Sequence, residues 1–420
     1  MQKQVERKQK EQKESKFKLM FSSLKYRNFR LLWTGVIISN TGDFLELVAL
    51  NWLVYELTGS AFYLGMFNLA RSLPIVFFTL IAGALADKYE RRKLLIYSQG
   101  TAMILSGILA ILAFTGRINV YNLMSIGILQ GVANSFNLPI RQSLIPELVP
   151  RDKIVNAVAL TGMSITSTLV LGPSLGGLIV ATLGIPYAML TNALSFIAIL
   201  WALYAMEIPR SEKKHEKSLF QSLKESTVYI INHKVILTAI FFSVLMLTIG
   251  LPYQTILPVF AKDVFKLEAK GYGFLFAASG FGALLGTILS GLREKEKIKN
   301  AMRLSFFGVG FFMIAFGLSA LYFSHFIVLS VLLLIFIGFS MSTYNVTKNT
   351  ILQLLVEDRY RGRVISTIFL GFGLGSLGSF IMGTLAQFFG APGAYLIIGS
   401  FLVVASGFLI YFTRNSVMHA

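Results

Sequence analysis

Apolar and polar positions alternate along the chain in long blocks rather than at the short periods of a soluble fold. Twelve apolar runs of 21 to 27 residues can be read, at 31–56, 61–86, 94–114, 118–141, 156–182, 185–206, 235–261, 271–292, 302–323, 326–348, 364–389 and 393–413. A helix of about 20 residues rises roughly 30 Å, the thickness of a bilayer's hydrocarbon core. The pattern therefore predicts an all-α membrane protein with twelve transmembrane helices. The connection from 207 to 234 is charged (PRSEKKHEK) and separates six runs from six, with a surface helix expected from Ser218 to Ile231.

The two sets of six repeat each other. Gly172, Gly177, Gly184 and Pro186 match Gly378, Gly383, Gly390 and Pro392 at an offset of 206, and Gly65 and Gly83 match Gly273 and Gly291 at 208. RQSLIPELVPRD from Arg141 and KNTILQLLVEDR from Lys348 each place a cation at the end of a run, then a loop carrying acids and Arg. This predicts two pseudo-symmetric six-helix halves. The expected plan is a basic cytoplasmic segment with an interfacial helix over 1–30, a first bundle over 31–206, a cytoplasmic linker over 207–234, a second bundle over 235–413 and a tail over 414–420.

Composition narrows the function. Of 420 residues 55% are hydrophobic and only 14% charged, which excludes an ordinary soluble domain. The net charge of +18 would suit a nucleic-acid partner, but its distribution argues against one. With the N-terminus in the cytoplasm, 33 of the 38 Lys and Arg fall in cytoplasmic loops and tails, four in outer loops, and Arg71 alone inside a run. There is no cysteine, and His215, His233, His325 and His419 all lie in loops, tails or at a span edge, so no metal site is expected. No loop with GK[ST] is present to hold a nucleotide. Nor is a cleavable leader evident at the N-terminus. The expectation is no catalytic residue and no cofactor. The partners expected are a small-molecule substrate and the lipid bilayer.

Ionisable groups inside a membrane are costly and call for a reason. Asp43, Glu46 and Arg71 lie deep within runs, and Asp43 and Glu46, three apart, share one helical face. They are candidates for proton coupling, a carboxylate taking a proton from one side and releasing it to the other. The competing reading is a salt bridge that locks the first two helices. Asn68, Gln130, Asn134, Asn137, Arg141, Gln254, Tyr344 and Asn345 outline a candidate substrate cavity. Gln130, Asn134, Asn137 and Arg141 form one helical stripe, although such amides also join helices to one another. Gly250, Pro252 and Pro258 mark a weakened outer half of the seventh run, a candidate gate.

GALADKYERRK, from Gly83 to Lys93, is a charged hairpin between two membrane-length runs. It resembles the signature loop of the major facilitator superfamily, Gly-x-x-x-Asp-(Arg/Lys)-x-Gly-(Arg/Lys)-(Arg/Lys), through Gly83, Asp87, Lys88, Arg91 and Arg92, with Glu90 at the inner glycine position. LGPSLGG from Leu171 resembles that superfamily's antiporter signature through Gly172, Pro173, Gly176 and Gly177, with Thr168 in place of its first glycine. LKYRNFRLLW, TGD, WLVYELTGSAFYLG and RGRVIST resemble the bacterial macrolide-efflux and enterobactin-exporter branch. The resemblance implies a monomeric, multi-pass transporter of the bacterial cytoplasmic membrane that exports amphiphilic molecules by alternating access, with the proton gradient as the energy source. In it the 83–93 loop would latch the inner side, Asp87 meeting Arg359, Arg361 or Arg363. A facilitator or importer of a metabolite or lipid is the alternative, and a membrane receptor a more distant one.

Overall fold

A segment surrounded by lipid must satisfy its backbone hydrogen bonds within itself, and the helix does so for a single run. The computed structural model describes residues 21–207, 230, 232–291, 293–356 and 358–414. The first six runs form α1 (Arg27–Thr58), α2 (Ala61–Lys88), α3 (Arg91–Phe114), α4 (Val120–Ser135), α5 (Asn137–Leu148), α6 (Ile154–Thr182) and α7 (Ile185–Ala205). The later ones form α8 (Lys234–Leu245), α9 (Ala269–Gly291), α10 (Lys295–Tyr322), α11 (Ile327–Leu355) and α12 (Asp358–Arg414). The predicted surface helix lies, apart from Ile230, outside the described residues.

Departures from regular helix follow the local chemistry. Pro139 has no N–H for the carbonyl of Ser135, and the run expected over 118–141 divides at Phe136 into α4 and α5. Beyond α8 the chain passes through a π turn at Met246–Gly250, a 3-10 turn at Leu251–Ile256, a single α turn and a second π turn at Phe260–Val264. Pro252 and Pro258 fall within this irregular stretch, as the weakened outer half predicted. Gly184 (φ 97) and Gly390 (φ 72) adopt positive φ just before Ile185-Pro186 and Ala391-Pro392, so one turn is built twice from the same residues. The second of these turns divides α12 into two helices at Gly390.

Among the described residues, nine helical stretches are long and apolar enough to cross a membrane. The expected runs 31–56 and 118–141 are not among them. Polar residues dilute α1, and α4 has only 16 residues before its break. The last two expected runs merge into one stretch across Gly390. Large apolar side chains point outward along the helices, with Phe77 65% exposed, Leu304 71% and Phe388 78%, as a lipid-facing surface requires. The chain is a multi-pass membrane protein.

Helix α1 packs against α6 and α7, α2 against α4, and α3 against α7. In the later part α9 packs on α11, and α10 on both α11 and α12. The two groups meet through α2 against α12 and α6 against α9. A Cβ at Gly383 would lie 2.9 Å from the Gly65 nitrogen, and one at Gly177 only 2.8 Å from the Ala277 nitrogen beside Gly273. Backbones therefore touch at both crossings, and each joins a glycine to the repeat counterpart of a glycine in the other. At the same end of the molecule Tyr55 donates to Asp263, Ser60 Oγ to Gln387 Oε1 at 2.9 Å, and Tyr272 Oη to the Val48 carbonyl at 3.0 Å.

Candidate functional site

Helices α1, α3, α4 and α7 converge on one carboxylate. Glu46 is fully buried, and its Oε2 accepts from Gln130 Nε2 at 3.0 Å and from Asn192 Nδ2 at 2.9 Å. Each amide nitrogen spends its second hydrogen on Ser106 Oγ, at 3.1 Å in both cases. Ser195 Oγ, 3.2 Å from Asn192 Oδ1, and the Gly42 backbone close the cluster on the α7 side. Oε1 of Glu46 and Oε1 of Gln130 have no hydrogen-bond partner among the described residues.

Asp43, one turn earlier on α1, is half-buried. It forms no direct ion pair among the described residues; Arg71 and Arg141 act on it through space. Arg71 likewise acts on Glu46 at a distance. The salt bridge that would lock α1 to α2 is thus not formed. Instead α1 and α2 are joined by Asn68 Nδ2 donating to Asn51 Oδ1 at 2.8 Å. Arg141 donates from Nη1 to Asn40 Oδ1 at 3.0 Å.

A second amide node lies along the α4–α5 stripe. Ser39 donates to Gln99 Oε1 at 3.2 Å, Gln99 donates to Asn137 Oδ1, and Asn137 Nδ2 donates to Asn134 Oδ1 at 2.8 Å. The stripe of Gln130, Asn134, Asn137 and Arg141 is thereby divided: Gln130 serves the carboxylate, the two Asn join helices, and Arg141 faces Asn40. In the later helices Gln254 donates to Tyr253 Oη at 3.2 Å, while Tyr344 is buried against Phe306. Asn345 accepts from Lys348 Nζ at 3.3 Å.

Arg141 and Lys348, each at the last position of its apolar run, are only 9% and 4% exposed, in helices that continue past the run. Lys348 was not among the expected site residues. Ser106, Asn192, Ser195, Gln99 and Asn40 were also missed. For Asn192 and Gln99 a signal existed, a lone amide within an apolar run; for the serines there was none, since Ser is common in packed helices.

The small residues of α6 seat its neighbours. A Cβ at Gly172 would meet the Thr41 carbonyl oxygen at 2.9 Å, one at Gly176 the Leu45 carbonyl at 2.8 Å, and Gly177 faces α9. Pro173 is accommodated without ending the helix. In the hairpin after Gly83, Lys88 is exposed, Arg91 pairs with Glu147 and donates to the Ser143 carbonyl at 2.9 Å, and Arg92 donates to the Tyr204 carbonyl at 2.7 Å. The arginines thus bind α5 and α7 of their own group. The side chains of Asp87, Arg359, Arg361 and Arg363 lie outside the described residues.

Comparison with known proteins agrees with this architecture. The chain is 26% identical over 360 residues to the staphyloferrin A transporter of Staphylococcus aureus, covering 85% of this chain and 89% of that one. It is 24% identical to the multidrug efflux pump Tap of Mycobacterium tuberculosis (87% and 88% covered) and 21% identical to macrolide efflux protein A of Streptococcus pyogenes (81% and 86%). Among solved structures the nucleoside transporter NupG superposes with a TM-score of 0.67 at 16% identity, over 92% of this chain and 99% of that one. The family model described as transmembrane secretion effector matches residues 19–420. The match to that model over nearly the whole chain makes this protein a member of the transmembrane secretion effector family of the major facilitator superfamily.

Proposed function

We propose that the protein is a secondary active transporter of the bacterial cytoplasmic membrane that exports amphiphilic small molecules in exchange for protons. The observation that carries this reading is the Asp43–Glu46 turn of α1. It joins a half-buried carboxylate to one sealed among amides, inside a membrane bundle with no cation bonded directly to either among the described residues. Oε1 of Glu46, without a donor, is the atom on which a transported proton would rest. Arg71 and Arg141, acting at a distance, supply a field that conformational change or a bound substrate can alter.

In this reading twelve transmembrane helices form two six-helix halves with both termini cytoplasmic, and the chain works as a monomer. The end closed by the glycine crossings then faces outward, so the site is reached from the cytoplasm. Rocking of the halves would part those crossings and close the inner side. The efflux relatives favour export over import.

The test is transport in inverted membrane vesicles holding an acid-inside pH gradient, with a panel of fluorescent cations, macrolides and catecholate siderophores. Substrate-induced collapse of the gradient in the native chain, and its loss in Asp43→Asn at equal expression, is the expected result. Full retention in the variant would place Asp43 outside the coupling path. Flux that ignores the pH gradient would favour a facilitator instead.

A further inference from the structure

Four atoms from four helices close a ring at the buried carboxylate of α1. Gln130 Nε2 lies 3.0 Å from Glu46 Oε2 and 3.1 Å from Ser106 Oγ, while Asn192 Nδ2 lies 2.9 Å and 3.1 Å from the same two oxygens. Nitrogen and oxygen alternate around this ring, and Ser106 of α3 faces Glu46 across it. All four side chains are buried. A hydroxyl has two lone pairs and one hydrogen. At Ser106 the two amides fill both lone pairs, and the hydrogen is left on the side of the carboxylate.

An amide can turn either its nitrogen or its oxygen toward a carboxyl group, and the two choices favour opposite protonation states. N–H donors stabilise the ionised form, whereas a carbonyl oxygen needs a donor and stabilises the protonated one. By accepting from both amides, Ser106 holds both nitrogens on the carboxylate. Asn192 has a second hold, its Oδ1 accepting from Ser195 Oγ at 3.2 Å. Gln130 has none among the described residues, since its Oε1 is without a hydrogen-bond partner. Take Ser106 away, and one buried N–H of each amide loses its acceptor, which is costly. Turning the Gln130 amide over relieves that cost if Glu46 carries a proton to donate to it. The charges that also act here are Asp43 on α1 and, at a distance, Arg71 of α2; Arg141 of α5 acts on Asp43. The tyrosines of α3, α4 and α7 (Tyr97, Tyr121, Tyr187 and Tyr204) are exposed, and α6 carries no titratable residue. The basic residues that open α3 are held at its end, Arg91 on Glu147, Arg92 on the Tyr204 carbonyl and Lys93 on Glu90.

We propose that Ser106 is a positioning residue that sets how tightly Glu46 holds a proton, by keeping the nitrogens of Gln130 and Asn192 on the carboxylate. The inference rests on the transport reading, in which Glu46 carries the transported proton. A proton held too tightly is not released on the far side, so the ring keeps Glu46 able to let go.

The test is infrared difference spectroscopy of the full chain in phosphatidylcholine membranes, titrated from acid to alkaline buffer with no gradient and no substrate. A protonated carboxyl is read by its C=O stretch, and the component lost in Glu46→Gln but kept in Asp43→Asn belongs to Glu46. In Ser106→Ala the midpoint of that component should rise by about one pH unit, as the loss of one hydrogen bond to a charged group implies. Gln130→Leu, which removes the amide that Ser106 orients, should raise it too. Ser106→Thr keeps the hydroxyl and should restore the native midpoint. Melting curves check that each variant is folded; a serine that only packs α3 would change melting and leave the midpoint in place. An unchanged midpoint in Ser106→Ala, or equal shifts in the Ala and Thr variants, overturns the proposal. So does a native chain in which the Glu46 component never titrates. Midpoints that move as expected, in a chain whose vesicle transport ignores the pH gradient, keep the positioning and remove the proton exchange. A chain that exchanges protons while Ser106→Ala leaves the midpoint alone loses this inference only.

Discussion

The first six helices and the later ones share a plan but bury different chemistry. Between α1, α3, α4 and α7 the interior is a polar web of Glu46, Gln130, Asn192 and Ser106. Part of the interior of the later helices is aromatic instead. Phe260 meets Phe316 and Tyr395 edge to face and these two meet at a tilt, at 4.7–5.3 Å between centroids, and Phe306 lies between Phe242 and Tyr344. Only Lys348, over the Tyr344 ring, brings a buried cation into that part among the described residues. On the reading proposed above, the first part holds the groups that would exchange protons and the other is a packed body against which the first would move.

The largest effect that would sharpen this contrast is expected at Glu46. Glu46→Gln retains an oxygen for the two amides and places an NH2 where Oε1 finds no donor. Gradient-driven transport in vesicles should therefore fall to background while the melting temperature stays at or above that of the native chain. Glu46→Ala should lose transport and stability together, by about 1–3 kcal/mol for each amide left without an acceptor. A Glu46→Gln chain that still couples flux to pH would remove Glu46 from the proton path.

Next in size is the aromatic body. Phe316→Ala should cost about 3–5 kcal/mol, read as a lowered unfolding midpoint in detergent. The pH dependence of transport, measured at a temperature where the variant is folded, should be unchanged. A shifted pH profile would break the division of labour between the two parts.

The smallest expected effect is at the closed end. Tyr55→Phe removes the bond to Asp263 and should weaken closure by about 1 kcal/mol, the usual net value of one hydrogen bond. A cysteine introduced at Ser60 should then react faster with an impermeant maleimide added from outside. An unchanged labelling rate would mean that the glycine crossings alone set the closure.

Much of the architecture was legible because bilayer thickness imposes one length on every spanning run, and because glycine and proline leave spacings that survive duplication. Gly184-Ile185-Pro186 and Gly390-Ala391-Pro392 announced a repeated turn before any coordinates. The carboxylates were legible too, since a charge in an apolar run stands out. Their partners were not. Whether Gln130 faces Glu46 or another amide depends on helix rotation, which a stripe of polar residues leaves open. Ser106 and Asn192 come from helices distant in sequence, and nothing local marks a serine as an acceptor for two amides. The burial of Arg141 and Lys348 was hidden for a related reason: apolar runs end before their helices do, so a cation at the last position of a run reads as a surface residue.

The crossings of Gly65 with Gly383 and of Gly177 with Gly273 carry one further consequence. A water molecule needs a gap wider than backbones in van der Waals contact leave, so these crossings are dry. A file of water past them would let protons run down their gradient without moving any cargo. In a proton-coupled exporter two such backbone contacts at one end of the bundle would keep leakage small, and a single methyl group at either would turn an insulated machine into a slow short circuit.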